Sequence, residues 1–121
     1  MARPRILLVD DDPGVRAAIT FALEVEGFDV EGYPNAEAAL AAPHRRIVCA
    51  VLDQRLPGMD GLSLLARLRD SEPSLPAIII TSNTSKRVRA EIAAKNAILV
   101  EKPLLRHAIV DVIRHIAVEI D

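Results

Sequence analysis

The chain has 121 residues, a formal net charge of −2, and 50% hydrophobic against 26% charged residues, a balance that belongs to a folded globular chain and excludes a disordered one. That length suits one aliphatic core and is too short for two, so residues 1–121 are expected to form a single domain. The slightly acidic charge, the dispersed basic residues and the 2% aromatic content argue against direct nucleic-acid binding, and no apolar run is long enough for a signal peptide or membrane span, so a cytoplasmic location is expected.

The first apolar run, Ile6–Val9, leads in "RILLVDDDPGVRAAI" into three adjacent aspartates. Asp12 before Pro13 reads as a helix N-cap with proline in the first turn. Asp10 and Asp11 sit at the strand end, where like charges repel, and read either as a solvated acidic turn or as a cation site. Val15, Ala18, Ile19, Ala22 and Leu23 form the apolar stripe of a first helix that stops at Gly27. Phe28–Tyr33, "FDVEGY", alternates as an edge strand does, and Asn35 caps a second helix that ends before Pro43. Ile47–Leu52 is a buried run whose lone Cys49 reads as a small core residue. Leu62, Leu64, Leu65 and Leu68 mark a third helix after Gly61, and Ala77–Ile80 a fourth strand. The next helix, around Arg87–Ala94, opens with the cations Lys86 and Arg87 at its positive end and has only Val88 and Ile92 as large apolar members, which predicts a short, shifted or mobile element. Ala97–Val100 is the fifth strand. Ile109, Val110, Ile113, Ile116 and Ala117 form the last helical stripe.

Strand and helix therefore alternate five times, and four of the runs are continuously apolar, as parallel strands covered on both faces are. This pattern predicts an α/β, doubly wound parallel sheet with right-handed crossovers. After the buried strands come Asp10 and Asp11, then Asp53, Thr81 and Lys102. In an open parallel sheet those carboxyl ends share one edge, where ligands bind. Three carboxylates suit a hard divalent cation such as Mg²⁺, and a hydroxyl plus an ammonium beside it suit a phosphoryl group. With no nucleophile triad in view, Asp53 itself is the candidate nucleophile, forming an acyl phosphate.

In combination, "VDDD", "LDQRLPGMDGL", "IIITS" and "VEKP" resemble the receiver domain of bacterial two-component response regulators over nearly the whole chain. The resemblance implies a flavodoxin-like (βα)5 fold with sheet order 2-1-3-4-5. It implies that Asp53 takes a phosphoryl group from a sensor histidine kinase or histidine phosphotransfer protein, that Asp10, Asp11, Asp53 and the Arg55 backbone carbonyl hold Mg²⁺, and that Thr81 and Lys102 contact the phosphoryl oxygens. It further implies a cis Lys102–Pro103 bond, and a switch rather than a turnover enzyme. The switch would act on an output domain or target protein through the surface of the fourth helix, fifth strand and fifth helix. Two departures stand out: Leu99 occupies a position where the family usually has Tyr or Phe, and Asn96 stands where a glycine is common, which predicts a left-handed Asn96.

Three other readings compete with this one. A flavin-binding relative of the same sheet lacks phosphate-cradling loops and aromatics here. An aspartate-nucleophile phosphohydrolase usually has a second acid two residues on, where this chain has Arg55. A degenerate receiver acting as a phosphorylation-independent interaction module is favoured by Leu99 and opposed by the presence of all five phosphorylation residues.

Overall fold

Continuous apolar strands need cover on both faces, and alternation with helices supplies it. The computed structural model describes residues 3–43, 46–102 and 108–120. In chain order the elements are β1 (Arg5–Val9), α1 (Pro13–Val25), β2 (Asp29–Tyr33), α2 (Ala36–Ala41), β3 (Ile47–Asp53), α3 (Gly61–Leu68), β4 (Ala77–Thr81), α4 (Lys86–Ala94), β5 (Ile98–Glu101) and α5 (Ala108–Ile120). The five strands pair in parallel in the order β2-β1-β3-β4-β5, as the resemblance implied.

Strand pleating sends alternate residues to opposite faces, so the sheet carries two cores. On one, Leu7, Val9, Leu52 and Ile79 pack with Leu64 and Leu65 of α3 and Ile92 of α4. On the other, Ile6, Leu8, Val51 and Ile78 pack with Ile19 and Leu23 of α1 and Ile113 of α5. The order reverses between β1 and β3, which opens a crevice at their carboxyl ends.

Local signals act as expected at several ends. The Asp12 carboxylate accepts the Gly14 and Val15 amides at 2.8 and 3.2 Å, and Asn35 Oδ1 accepts the Ala38 amide at 2.7 Å. Gly27 turns the chain after α1 at φ 101°, and Asn96 takes φ 51°, the left-handed conformation expected of it.

Two expectations need correction. Ala18 lies on the margin of the α1 stripe and is exposed, so burial centres on Ile19 and Leu23. The continuous run at β5 suggested cover along its whole length; Leu99 and Val100 pack on opposite faces, but Ile98, at its start, is 39% exposed. The helix expected to be short, shifted or mobile is α4, a regular helix of nine residues. Ser85 Oγ accepts the Val88 amide at 3.3 Å, and Arg87 pairs with Glu91 one turn on at 3.2 Å, contacts that offset the two cations at its start. Its apolar stripe is thin as expected, with Ile92 buried and Val88 half-buried.

Candidate functional site

The crevice is built from strand ends. Asp10 continues β1, donating its amide to the Tyr33 carbonyl at 3.1 Å. Its side chain is fully buried: Oδ1 accepts the Asp12 amide at 2.9 Å, while Oδ2 is buried without a hydrogen-bond partner among the described residues. Asp11, one residue on, is exposed. Asp53, expected just past the third strand, is its last residue and is 2% exposed. One oxygen from each of Asp10, Asp11 and Asp53 lies within 4.8 Å of the others.

The cations are few. Lys102 Nζ reaches Asp53 Oδ2 at 3.1 Å, and the Arg55 amide donates to Asp53 Oδ1 at 3.3 Å, while the Arg55 residue itself is exposed. Lys102 is placed by its backbone, whose amide donates to the Thr81 carbonyl at 3.0 Å and so carries the β4–β5 pairing one step past the strands. Thr81 closes β4 and is buried; Asp53 is in register with Ile80, so Thr81 stands one residue beyond it. Its Oγ1 accepts the Asn83 amide at 3.0 Å and keeps its own proton free to donate.

Burial pushes the Asp10 carboxyl above the usual carboxylate range. The Asp12 amide opposes that shift, the Asp53 carboxylate adds to it, the Lys102 ammonium opposes it, and the exposed Asp11 adds to it again. Among the described residues three carboxylates thus face one ammonium, and one buried oxygen has no donor. This is a donor set that fits a hard, oxygen-seeking divalent cation.

Two supports of this cluster were not foreseen from the sequence. Arg16, six residues past Asp10 on α1, donates from Nη1 to the Asp10 carbonyl at 2.7 Å, its stem lying over Gly32 so closely that a Cβ there would stand 3.4 Å from Arg16 Cδ. The other is Gly61, where a Cβ would come within 2.6 Å of the Asp53 carbonyl oxygen. Its amide donates to the Gln54 carbonyl at 3.1 Å, Gln54 Oε1 accepts the Leu62 amide at 3.0 Å, and Asp60 caps α3 through the Ser63 amide at 2.7 Å. The loop after Asp53 is therefore closed on itself. Its sequence signal is the second glycine of "LPGMDG", one residue after an N-cap aspartate.

Leu99, on β5, is half-buried against the core on the α3 and α4 side. Pro103 lies outside the described residues, and with it the conformation expected for the Lys102–Pro103 bond. No helix among the described residues is long and apolar enough to cross a membrane.

Residues 6–114 match the family model described as the response regulator receiver domain. Over 108 residues the chain is 36% identical to the transcriptional regulatory protein FixJ of Rhizobium meliloti, covering 88% of this chain and 53% of that protein. It is 39% identical over 83 residues to the C4-dicarboxylate transport transcriptional regulatory protein DctD of the same organism, covering 68% of this chain and 18% of that one. The chain thus spans about half or less of these relatives' length. Among solved structures it is similar to a CheY-like response regulator receiver domain protein from Methanospirillum hungatei, with a TM-score of 0.89 and 28% identity over 98% of this chain and 96% of the other.

Proposed function

From the premise that this chain belongs to the response regulator receiver domain family, we propose that residues 1–121 form one phospho-accepting switch unit whose acceptor is Asp53. The phosphoryl donor is the phosphohistidine of a sensor histidine kinase or histidine phosphotransfer protein. An Asp53 carboxylate oxygen attacks phosphorus in line, the phosphorus–nitrogen bond breaks, and an acyl phosphate forms while the electron pair leaves with the imidazole.

Each neighbour has a task. Lys102, which now neutralises Asp53 Oδ2 at 3.1 Å, moves its ammonium to a phosphoryl oxygen once the carboxylate charge is spent in the new bond. Thr81 has its Oγ1 lone pair on the Asn83 amide and its proton available, so it donates to a second phosphoryl oxygen. Asp10, Asp11, Asp53 and the Arg55 carbonyl are the residues that would hold Mg²⁺. When bound, the metal neutralises charge on the phosphoryl oxygens and relieves repulsion among the carboxylates.

The observation that carries this reading is the Asp53 carboxylate, buried at the sheet edge between one ammonium and an acidic pair that includes an oxygen with no donor. The output is a change in the α4-β5-α5 surface, read by an output domain or target protein rather than by nucleic acid directly, in a cytoplasmic setting and without membrane contact. Half-buried Leu99 takes part in that change through packing alone, since it has no hydroxyl.

The test is incubation with Mg²⁺ and acetyl phosphate. Wild type is expected to gain one acid-stable, base-labile phosphate and Asp53→Asn none, with unchanged circular dichroism. Incorporation into the variant would overturn the assignment of Asp53, and none into either protein would favour a phosphorylation-independent interaction module.

A further inference from the structure

At the edge of the sheet opposite Asp53, where β3 begins and β4 is about to begin, lies a cavity of about 300 Å³. That volume is at the lower end of the roughly 300–1,000 Å³ typical of small-molecule sites. It lies beside Ala42, the residue after the six-residue α2. Its apolar lining is Leu40 and Ile47, half-buried, over the buried Leu7, Leu68 and Leu75. Nothing in the proposed phosphoryl chemistry uses this place.

The polar part of the lining is Ser71 and three charged residues. Arg46 and Arg67 both border the cavity from exposed positions, and neither has an ion pair or side-chain hydrogen bond among the described residues. Glu72 borders it too, so among the described residues the lining carries two guanidinium groups against one carboxylate, a single excess positive charge. An aliphatic interior accepts a hydrocarbon body, because a buried polar group there would lose its water without gaining a partner. A guanidinium at the rim matches a carboxylate in geometry as well as in charge.

The geometry points to a binding site for a small amphiphilic monoanion, a short hydrocarbon body carrying one carboxylate, held between α2 and α3. The hydrocarbon fills the space beside Ala42 over Leu68 and Leu75, and the carboxylate meets Arg46 and Arg67. Such a ligand binds at the far edge of the sheet from Asp53 and does not compete with phosphorylation for the same residues.

The experiment is a methyl NMR titration of the chain with hexanoate, 1-hexanol and hexylammonium. Hexanoate is expected to give saturable shifts at the methyls of Leu40, Ile47, Leu68 and Leu75. Hexanol should bind the same methyls about tenfold more weakly, the loss of one charge-assisted contact. The double variant Arg46→Gln/Arg67→Gln, in which both altered residues are exposed, should reduce hexanoate to the affinity of hexanol and leave hexanol unchanged. Ala42→Leu, which fills the space, should weaken both. Equal binding of hexanoate and hexanol by wild type, tighter binding of hexylammonium, shifts confined to other methyls, or no saturable shift would each overturn the proposal.

Discussion

Gly61 and Asp53 are in contact through backbone alone: a side chain on residue 61 would drive its Cβ to 2.6 Å from the Asp53 carbonyl oxygen and 3.1 Å from its carbonyl carbon. The start of α3 thus rests directly on the end of β3, and a methyl group there must push one away from the other. Gly61→Ala is expected to lower stability by about 1–3 kcal/mol, the usual size of an overpacking penalty. A urea midpoint equal to wild type would show that the helix start shifts without resistance.

The Asp10 carboxyl sets a pH dependence. Burial raises its folded-state pKa above the ordinary value, so the folded protein keeps this proton to higher pH than the unfolded chain does. The associated stability is present below the unfolded pKa and is lost as pH rises through the folded one. In a chelating buffer, Asp10→Asn should match wild type in acid and become the more stable protein as pH rises to neutrality, since asparagine retains the Oδ1 acceptor for the Asp12 amide. Urea unfolding of both proteins across that range checks this, and a constant difference at every pH would refute it. Mg²⁺, on the function proposed above, should raise the wild-type midpoint more than that of the variant.

Helix α4 is tied at one end. The Arg69 guanidinium donates to the Leu75 carbonyl at 3.1 and 2.8 Å and reaches the Lys95 and Asn96 carbonyls just past the helix. Elsewhere the helix buries only Ile92. Amide exchange across α4 should therefore be faster than across α1, which is anchored by Ile19 and Leu23, and Arg69→Ala should speed it further at Ile92–Ala94. Equal protection of the two helices in wild type would contradict this.

Cys49 lies in β3 with no exposed surface, and burial pushes its thiol up to about 12. The thiolate is the reactive form, so native protein at pH 8 should resist iodoacetamide. In mild urea the alkylation rate should follow global unfolding, and rapid labelling of the native chain would show local opening of the central strand.

The sequence alone determined the five strands, the sheet class and several helix ends, for physical reasons that act over short distances. A strand covered on both faces must be apolar throughout, and an N-cap carboxylate or a left-handed asparagine satisfies backbone groups within a few residues of itself. It also placed Asp10, Asp11, Asp53, Thr81 and Lys102 at one edge, because every strand of a parallel sheet ends there. What it did not contain is the unequal fate of neighbours. Asp10 is buried and Asp11 exposed although they are adjacent, since the packing of the sheet decides which of two successive side chains points inward. The run at β5 is apolar throughout, yet Ile98 at its start is exposed while Val100 is buried, because the helices that pack on the sheet decide how far along a strand the cover reaches. Gly61 against the Asp53 carbonyl, Arg16 on the Asp10 carbonyl and the space beside Ala42 likewise exist only once separate elements meet, where distances between backbones, which no local pattern encodes, decide what fits.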